Sequence, residues 1–203
     1  MTSADKPFGW LQVVRLGLVQ AALGGLVVLM TSTLNRVMVV ELALPALLPG
    51  VLVALHYLVQ TSRPRMGWGS DVGGRRTPWI VGGMAVLASG AMLAAASVAW
   101  MPVHRTGGVL LAFAAFVLIG LGVAACGTTL LVLLAKRVPA PRRAAAATTV
   151  WLMMILGFAV TAGTAGHFLD PYTPARLLVV TAVVAVLAVL VALLATWGLE
   201  GPA

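Results

Sequence analysis

The sequence predicts an all-α membrane protein: a polytopic bundle of six transmembrane helices, with residues 1–203 forming a single domain. Three observations carry this. Apolar residues make up 61% of the chain and charged residues 9%, against roughly 25% charged in a soluble domain. Six charge-free runs follow one another, at 16–35, 42–62, 77–103, 106–135, 144–169 and 177–199. About 20 residues rising 1.5 Å each are needed to cross a ~30 Å hydrocarbon core. Lipid offers backbone N–H and C=O groups no partner, so such runs must be helices or closed barrel strands. Barrel strands are about half as long and alternate apolar with polar residues, which these runs do not.

The helices are placed at about 13–33, 44–62, 78–100, 108–135, 144–168 and 175–197. The first is followed by Asn35-Arg36-Val37-Met38-Val39-Val40-Glu41, apolar enough to lie in the membrane interface. Pro45 and Pro78 suit the first turns of the second and third helices, where a missing N–H costs little. Met101 to Arg105 forms a short turn before the fourth helix. Pro139 and Pro141 break the chain before the fifth, and Asp170-Pro171-Tyr172-Thr173-Pro174 precedes the sixth. Trp10, Trp68, Trp79, Trp100 and Trp197 fall near these ends, as interfacial anchors do. Small residues spaced by four, Ala21/Gly25, Gly90/Ala94, Gly122/Cys126 and Ala159/Gly163, predict close helix packing.

The net charge of +8 is a topology signal. Ten basic residues (Lys6, Arg15, Arg63, Arg65, Arg75, Arg76, Lys136, Arg137, Arg142, Arg143) fall on one side, against Arg36, Arg105 and Arg176 on the other. Basic loops stay in the cytoplasm, so both termini are expected there. The bilayer is the expected partner of these charges. Nucleic acid is not, because no basic stretch is interleaved with aromatic residues. The lone Cys126 cannot form an intramolecular disulfide, and no cleavable leader precedes the first helix. Catalysis is not expected: the chain has no carboxylate pair, no nucleophile with a base, and no metal-ligand cluster.

Between the second and third helices stands Gly67-Trp68-Gly69-Ser70-Asp71-Val72-Gly73-Gly74-Arg75-Arg76. This GxxxDxxGRR pattern resembles the signature loop of the major facilitator superfamily, with Val72 where that family usually carries a basic residue. Glycines such as Gly67 and Gly74 permit a tight turn and a close helix approach. Asp71 can accept from a helix N-terminus or pair with an arginine, and Arg75 and Arg76 can pair across an interface. The resemblance implies two six-helix halves, each of inverted three-helix repeats, of which this chain is one. The partner of Asp71 is then supplied by another subunit, by sequence beyond this chain, or by a local cap.

Longer stretches are similar to one branch of that superfamily, the PucC-type light-harvesting assembly proteins. They are 14–20, 32–42, 55–57 onward to Trp79, 144–155 and 166–171. The resemblance implies an assembly role for photosynthetic antenna complexes, with bacteriochlorophyll and antenna or reaction-centre polypeptides as partners. A half-size transporter acting as a dimer and a permanent structural subunit are the alternatives. The runs hold no Asp, Glu, Lys or Arg, and polar-solute coupling needs such groups near the midplane. Phe116 stands four residues before the Gly120/Gly122 pair, where proton-coupled relatives carry arginine.

His56 is the intramembrane residue with the clearest chemical potential, seven residues or ~10 Å before Arg63. Neutral imidazole ligates metals, so His56 is the candidate magnesium ligand for a bacteriochlorophyll. His104 and His167 are expected at the interface. Asn35, Arg36 and Glu41 form a candidate contact for a partner helix, with Arg36 and Glu41 poorly spaced to pair on a regular α-helix.

Overall fold

The computed structural model describes residues 7–200, so Lys6 lies outside the described residues. Its helices are α1 (Trp10–Glu41), α2 (Leu47–Val59), α3 (Arg63–Val72), α4 (Thr77–Trp100), α5 (Arg105–Arg137), α6 (Arg143–Phe168) and α7 (Pro174–Thr196). No strand occurs among the described residues. Five helices, α1, α4, α5, α6 and α7, are each long and apolar enough to cross a membrane alone. The run at 42–62 behaves differently. Its α-helical part has 13 residues and is extended by a 3₁₀ turn, Gln60–Ser62, about 25 Å in all. The chain then passes directly into α3, so the signature segment begins as a helix and not as a loop.

The segment after the first apolar run departs from expectation. Residues 35–41 do not lie flat as a connector. They continue α1 to 32 residues, with Leu34, Val37 and Met38 fully buried. Nothing in Thr33 to Leu44 breaks a helix, and Pro45 is the first residue that must. The extension is irregular: Leu29–Thr33 and Val37–Glu41 are π-helical turns, with Leu42 N–H reaching back five residues to the Val37 carbonyl at 3.1 Å. At ~48 Å the helix exceeds the hydrocarbon core.

Helix α1 packs on α6 and α7, while α5 packs on α2 and α4. With α2 counted, α1, α2 and α4 thus relate to α5, α6 and α7 with roles exchanged, the pattern that inverted repeats produce. Between the tightest pairs the backbones nearly touch. A methyl added at Gly157 of α6 would lie 2.2 Å from the Ala21 carbonyl oxygen of α1. On α5, one at Gly122 would lie 2.4 Å from the Leu87 nitrogen of α4, and one at Gly120 would lie 2.8 Å from the His56 carbonyl oxygen of α2. The expected small-residue pairs therefore divide. Gly25, Gly90 and Gly122 sit at helix contacts, but Ala159 and Gly163 face outward, and nothing lies within 4 Å of a methyl at Gly163. Periodicity alone does not say which face of α6 meets the bundle, and the buried face here runs through Ala146, Val150 and Met154.

Replacing Gly157 or Gly122 with alanine should each cost about 1–3 kcal/mol through overpacking. Both variants should unfold at a lower temperature in detergent, whereas Gly163→Ala should leave the transition unmoved.

Candidate functional site

The bundle has a basic end, an opposite end and a cavity walled by α1, α2, α5 and α6. At the basic end, α3 stops at a turn in which Gly74 has φ +69°, a left-handed conformation that costs an L-residue roughly 1–2 kcal/mol. The close approach in this segment belongs to Gly69. A methyl there would meet the Trp79 ring at 2.8 Å, while one at Gly67 would sit at an ordinary 3.6 Å from Thr128. The spacing role expected of Gly67 is therefore carried by Gly69, because the indole of α4 lies over that turn of α3.

Asp71 is bound within the chain. Its Oδ1 accepts from Lys136 Nζ at the end of α5, at 2.9 Å, and from the Arg76 guanidinium. The arginine pairing open to Asp71 is therefore made within the chain, by Arg76, and Lys136 joins it. Lys136 was legible only as one more topology charge. Hydrogen bonds from Lys136 and then Arg76 hold the Asp71 carboxyl below the usual carboxylate range. Arg75 is exposed and makes no ion pair among the described residues. The cap on α4 comes from elsewhere: Glu200 Oε2 accepts from Arg76 N–H at 2.7 Å and Thr77 N–H at 2.6 Å, a carboxylate on the positive end of a helix. Beside it, Arg15 donates to the carbonyl oxygens of Ala195 (2.9 Å) and Trp197, tying α1 to the end of α7. The Arg137 guanidinium lies 4.8 Å over the Phe8 ring, whose backbone N–H donates to the Arg137 carbonyl at 2.9 Å.

At the opposite end, Arg36 Nη2 and Glu41 Oε1 lie 3.6 Å apart. Five residues span one turn of a π-helix, so the irregular end of α1 makes neighbours of two side chains that an α-helix would separate. Asn35 is half-buried on the same helix. Burial, and then the nearby Glu41 carboxylate, push the Tyr172 phenol above its ordinary value. His104 and His167 are both exposed at this end.

The core cavity, about 300 Å³, is walled by α1, α2, α5 and α6. Leu23, Val27, Val123, Leu131, Met154 and Phe158 make it apolar, and Tyr57 and Trp151, 61% and 49% exposed, stand at its open side. Into this wall are set Gln20, His56, Gln60 and Arg63. The last three form a chain running from α2 through the 3₁₀ turn to the first residue of α3: the Arg63 guanidinium donates to Gln60 Oε1, and Gln60 Nε2 lies 2.7 Å from His56 Nε2. His56 is 1% exposed, and its Nδ1 has no partner among the described residues. Gln20 is buried too, with its Nε2 3.3 Å from the Met154 sulfur and its Oε1 unpartnered. A buried polar atom left unmade costs about 1–3 kcal/mol. Sequence reasoning singled out His56 but missed Gln20 and Gln60. The available signals were a glutamine inside an apolar run and the four-residue and three-residue spacings His56–Gln60–Arg63.

A multi-pass helical membrane bundle with a largely apolar cavity, bearing a small polar patch, among its helices is the class these features define. The model of the PUCC protein family matches residues 33–202, and the chain belongs to that family. It is 60% identical over 192 residues to a protein of Rhodobacter capsulatus named bacteriochlorophyll synthase 44.5 kDa chain, covering 95% of this chain and 45% of that one. It is 32% identical over 201 residues to protein PucC of the same organism, covering 93% and 44%. To protein PucC of Rhodovulum sulfidophilum it is 31% identical over 216 residues, covering 98% and 46%. The chain thus spans less than half the length of the curated relatives it matches.

Because Asp71 has a lowered pKa, its bridges lend stability above the ordinary carboxylate range, about pH 4, and lose it as pH falls through the lowered value. Limited proteolysis of the 73–76 turn should therefore be flat between pH 5 and 8. Cutting should accelerate several-fold in Asp71→Asn or Lys136→Asp, and the exchange Asp71→Lys with Lys136→Asp should restore protection.

Proposed function

We propose that this protein is a non-enzymatic assembly factor for photosynthetic light-harvesting complexes, which binds or delivers bacteriochlorophyll, antenna polypeptides or both within the membrane. The observation that carries the reading is the cavity, a small polar patch in an otherwise apolar wall, in a chain of the PUCC family whose relative bears a bacteriochlorophyll name. No Asp or Glu lines the cavity among the described residues, so the site suits an apolar molecule with a few polar atoms better than a cation. On this reading His56 is the pigment-contacting residue, and the segment with Asn35, Arg36 and Glu41 is the contact for antenna or reaction-centre polypeptides. The Asp71 loop with Gly67, Gly74, Arg75 and Arg76 orders the basic end, which faces the cytoplasm together with both termini. The host is the inner, intracytoplasmic membrane.

A second reading follows from the chain spanning less than half of its relatives: a pathway completed by a second six-helix unit, either another copy or a separate chain, moving a hydrophobic substrate. A permanent structural subunit is the third.

Isolation in mild detergent from a native photosynthetic membrane separates them. The absorption spectrum should show bacteriochlorophyll bands, or antenna polypeptides should co-purify at less than one copy per chain, and deletion should lower antenna levels. One-to-one retention in mature complexes would favour the structural subunit. A colourless dimer whose deletion leaves antenna levels unchanged would sink the assembly role.

A further inference from the structure

The chain of polar groups in the cavity has a direction, and that direction decides what His56 can offer. An arginine side chain has only donors, so the end of Gln60 that meets Arg63 is its oxygen. The other end, the NH₂ group, is also donor-only, and it lies 2.7 Å from His56 Nε2. Nε2 must then accept, and a neutral imidazole that accepts at Nε2 carries its proton on Nδ1. Metal ligation requires a ring nitrogen with a free lone pair. Here one lone pair is held by Gln60, and the other nitrogen bears a hydrogen that no described residue accepts. Arg63 is thereby a positioning residue that fixes the tautomer of His56 from seven positions away.

We infer that His56 donates a hydrogen bond from Nδ1 to a carbonyl oxygen on the rim of a hydrophobic ring ligand and does not coordinate a magnesium ion. The inference deepens the pigment reading above and rests on it. Size supports it, because about 300 Å³ lies at the bottom of the range that encloses drug-sized ligands. A tetrapyrrole is larger, so its edge enters the cavity while its face lies outside. Tyr57 and Trp151 supply exposed aromatic surface at that opening, suited to offset or edge contact with a flat ring. Gln20 completes the site. Its amide is held only by the Met154 sulfur, and turning it over exchanges donor for acceptor. It can therefore serve either kind of second polar atom on the ligand.

The test compares bacteriochlorophyll with bacteriopheophytin, which keeps the peripheral carbonyls but has no metal, on pigment-free protein in detergent. Both should bind with affinities within a few-fold, and resonance Raman should show a carbonyl stretch lowered on binding. His56→Leu should abolish that lowering and weaken binding about tenfold, the equivalent of about 1.4 kcal/mol. His56→Asn, which keeps an amide donor near the Nδ1 position, should retain the lowering. Binding of the magnesium pigment alone, with a five-coordinate magnesium signature lost in both variants, would overturn the inference. If neither pigment binds, the pigment reading itself fails. The donor assignment is then decided on the unliganded protein by ¹⁵N NMR of His56: an Nδ1–H tautomer upholds it, and an Nε2–H tautomer refutes it.

Discussion

In a bilayer the apolar surfaces of two helices gain nothing by leaving lipid for each other, so this bundle is held by how closely its backbones can approach. The approach is concentrated at a few glycines: Gly157 against Ala21, Gly122 against Leu87, Gly83 against Cys126 and Gly120 against His56. Two of these contacts weld α4 to α5, one welds α1 to α6, and one sets α2 on α5. The cavity lies where these units meet without a glycine contact to draw them together. Its position therefore follows from the distribution of small residues, and its polarity from the few amides and one imidazole placed along its wall.

The same lack of water explains how polar groups are arranged along the molecule. At the basic end, where water is at hand, Asp71, Lys136, Arg76 and Glu200 form a surface network joining α3, α4, α5 and the residues after α7. Single pairs of this kind contribute little, but together they connect segments up to about 130 positions apart. In the core, where unmet polar atoms are costly, the hydroxyls of Thr128, Thr129 and Thr181 lack a partner among the described residues, and on the cavity wall so do Gln20 and His56. Incomplete groups at a cavity wall differ from incomplete groups in a packed core, because a ligand can complete them.

Much of the fold was legible because its signals are one-dimensional. Charge-free length marks helices in lipid, and α4 to α7 coincide with their runs to within a few residues. The failures have a common cause in geometry that sequence distance does not encode. Ala159 and Gly163 have packing spacing but lie on the outer face of α6. Gly67 sits in the signature pattern, yet the tight contact is at Gly69, because Trp79 of another helix chooses it. Glu200 caps α4 from more than 120 positions away, a relation no local pattern carries. For the candidate site, His56 stood out as a titratable group in an apolar run. Its tautomer depends on Gln60 and Arg63, and searching the runs for charges alone passes over glutamines.

The end of α1 carries one further consequence. Each π-helical turn holds an extra residue relative to α-helical winding, and every residue added advances the helical phase by ~100°. Across Leu29–Thr33 and Val37–Glu41 the two insertions rotate the face presented by the last residues roughly half-way round relative to the first twenty. A single amphipathic stripe drawn down α1 from Trp10 would therefore aim Arg36 and Glu41 at the wrong neighbours. The helix is better treated as a crankshaft: its lower throw fits α6 and α7, and its upper throw is offset so that charged side chains reach the surface while Leu34, Val37 and Met38 stay inside.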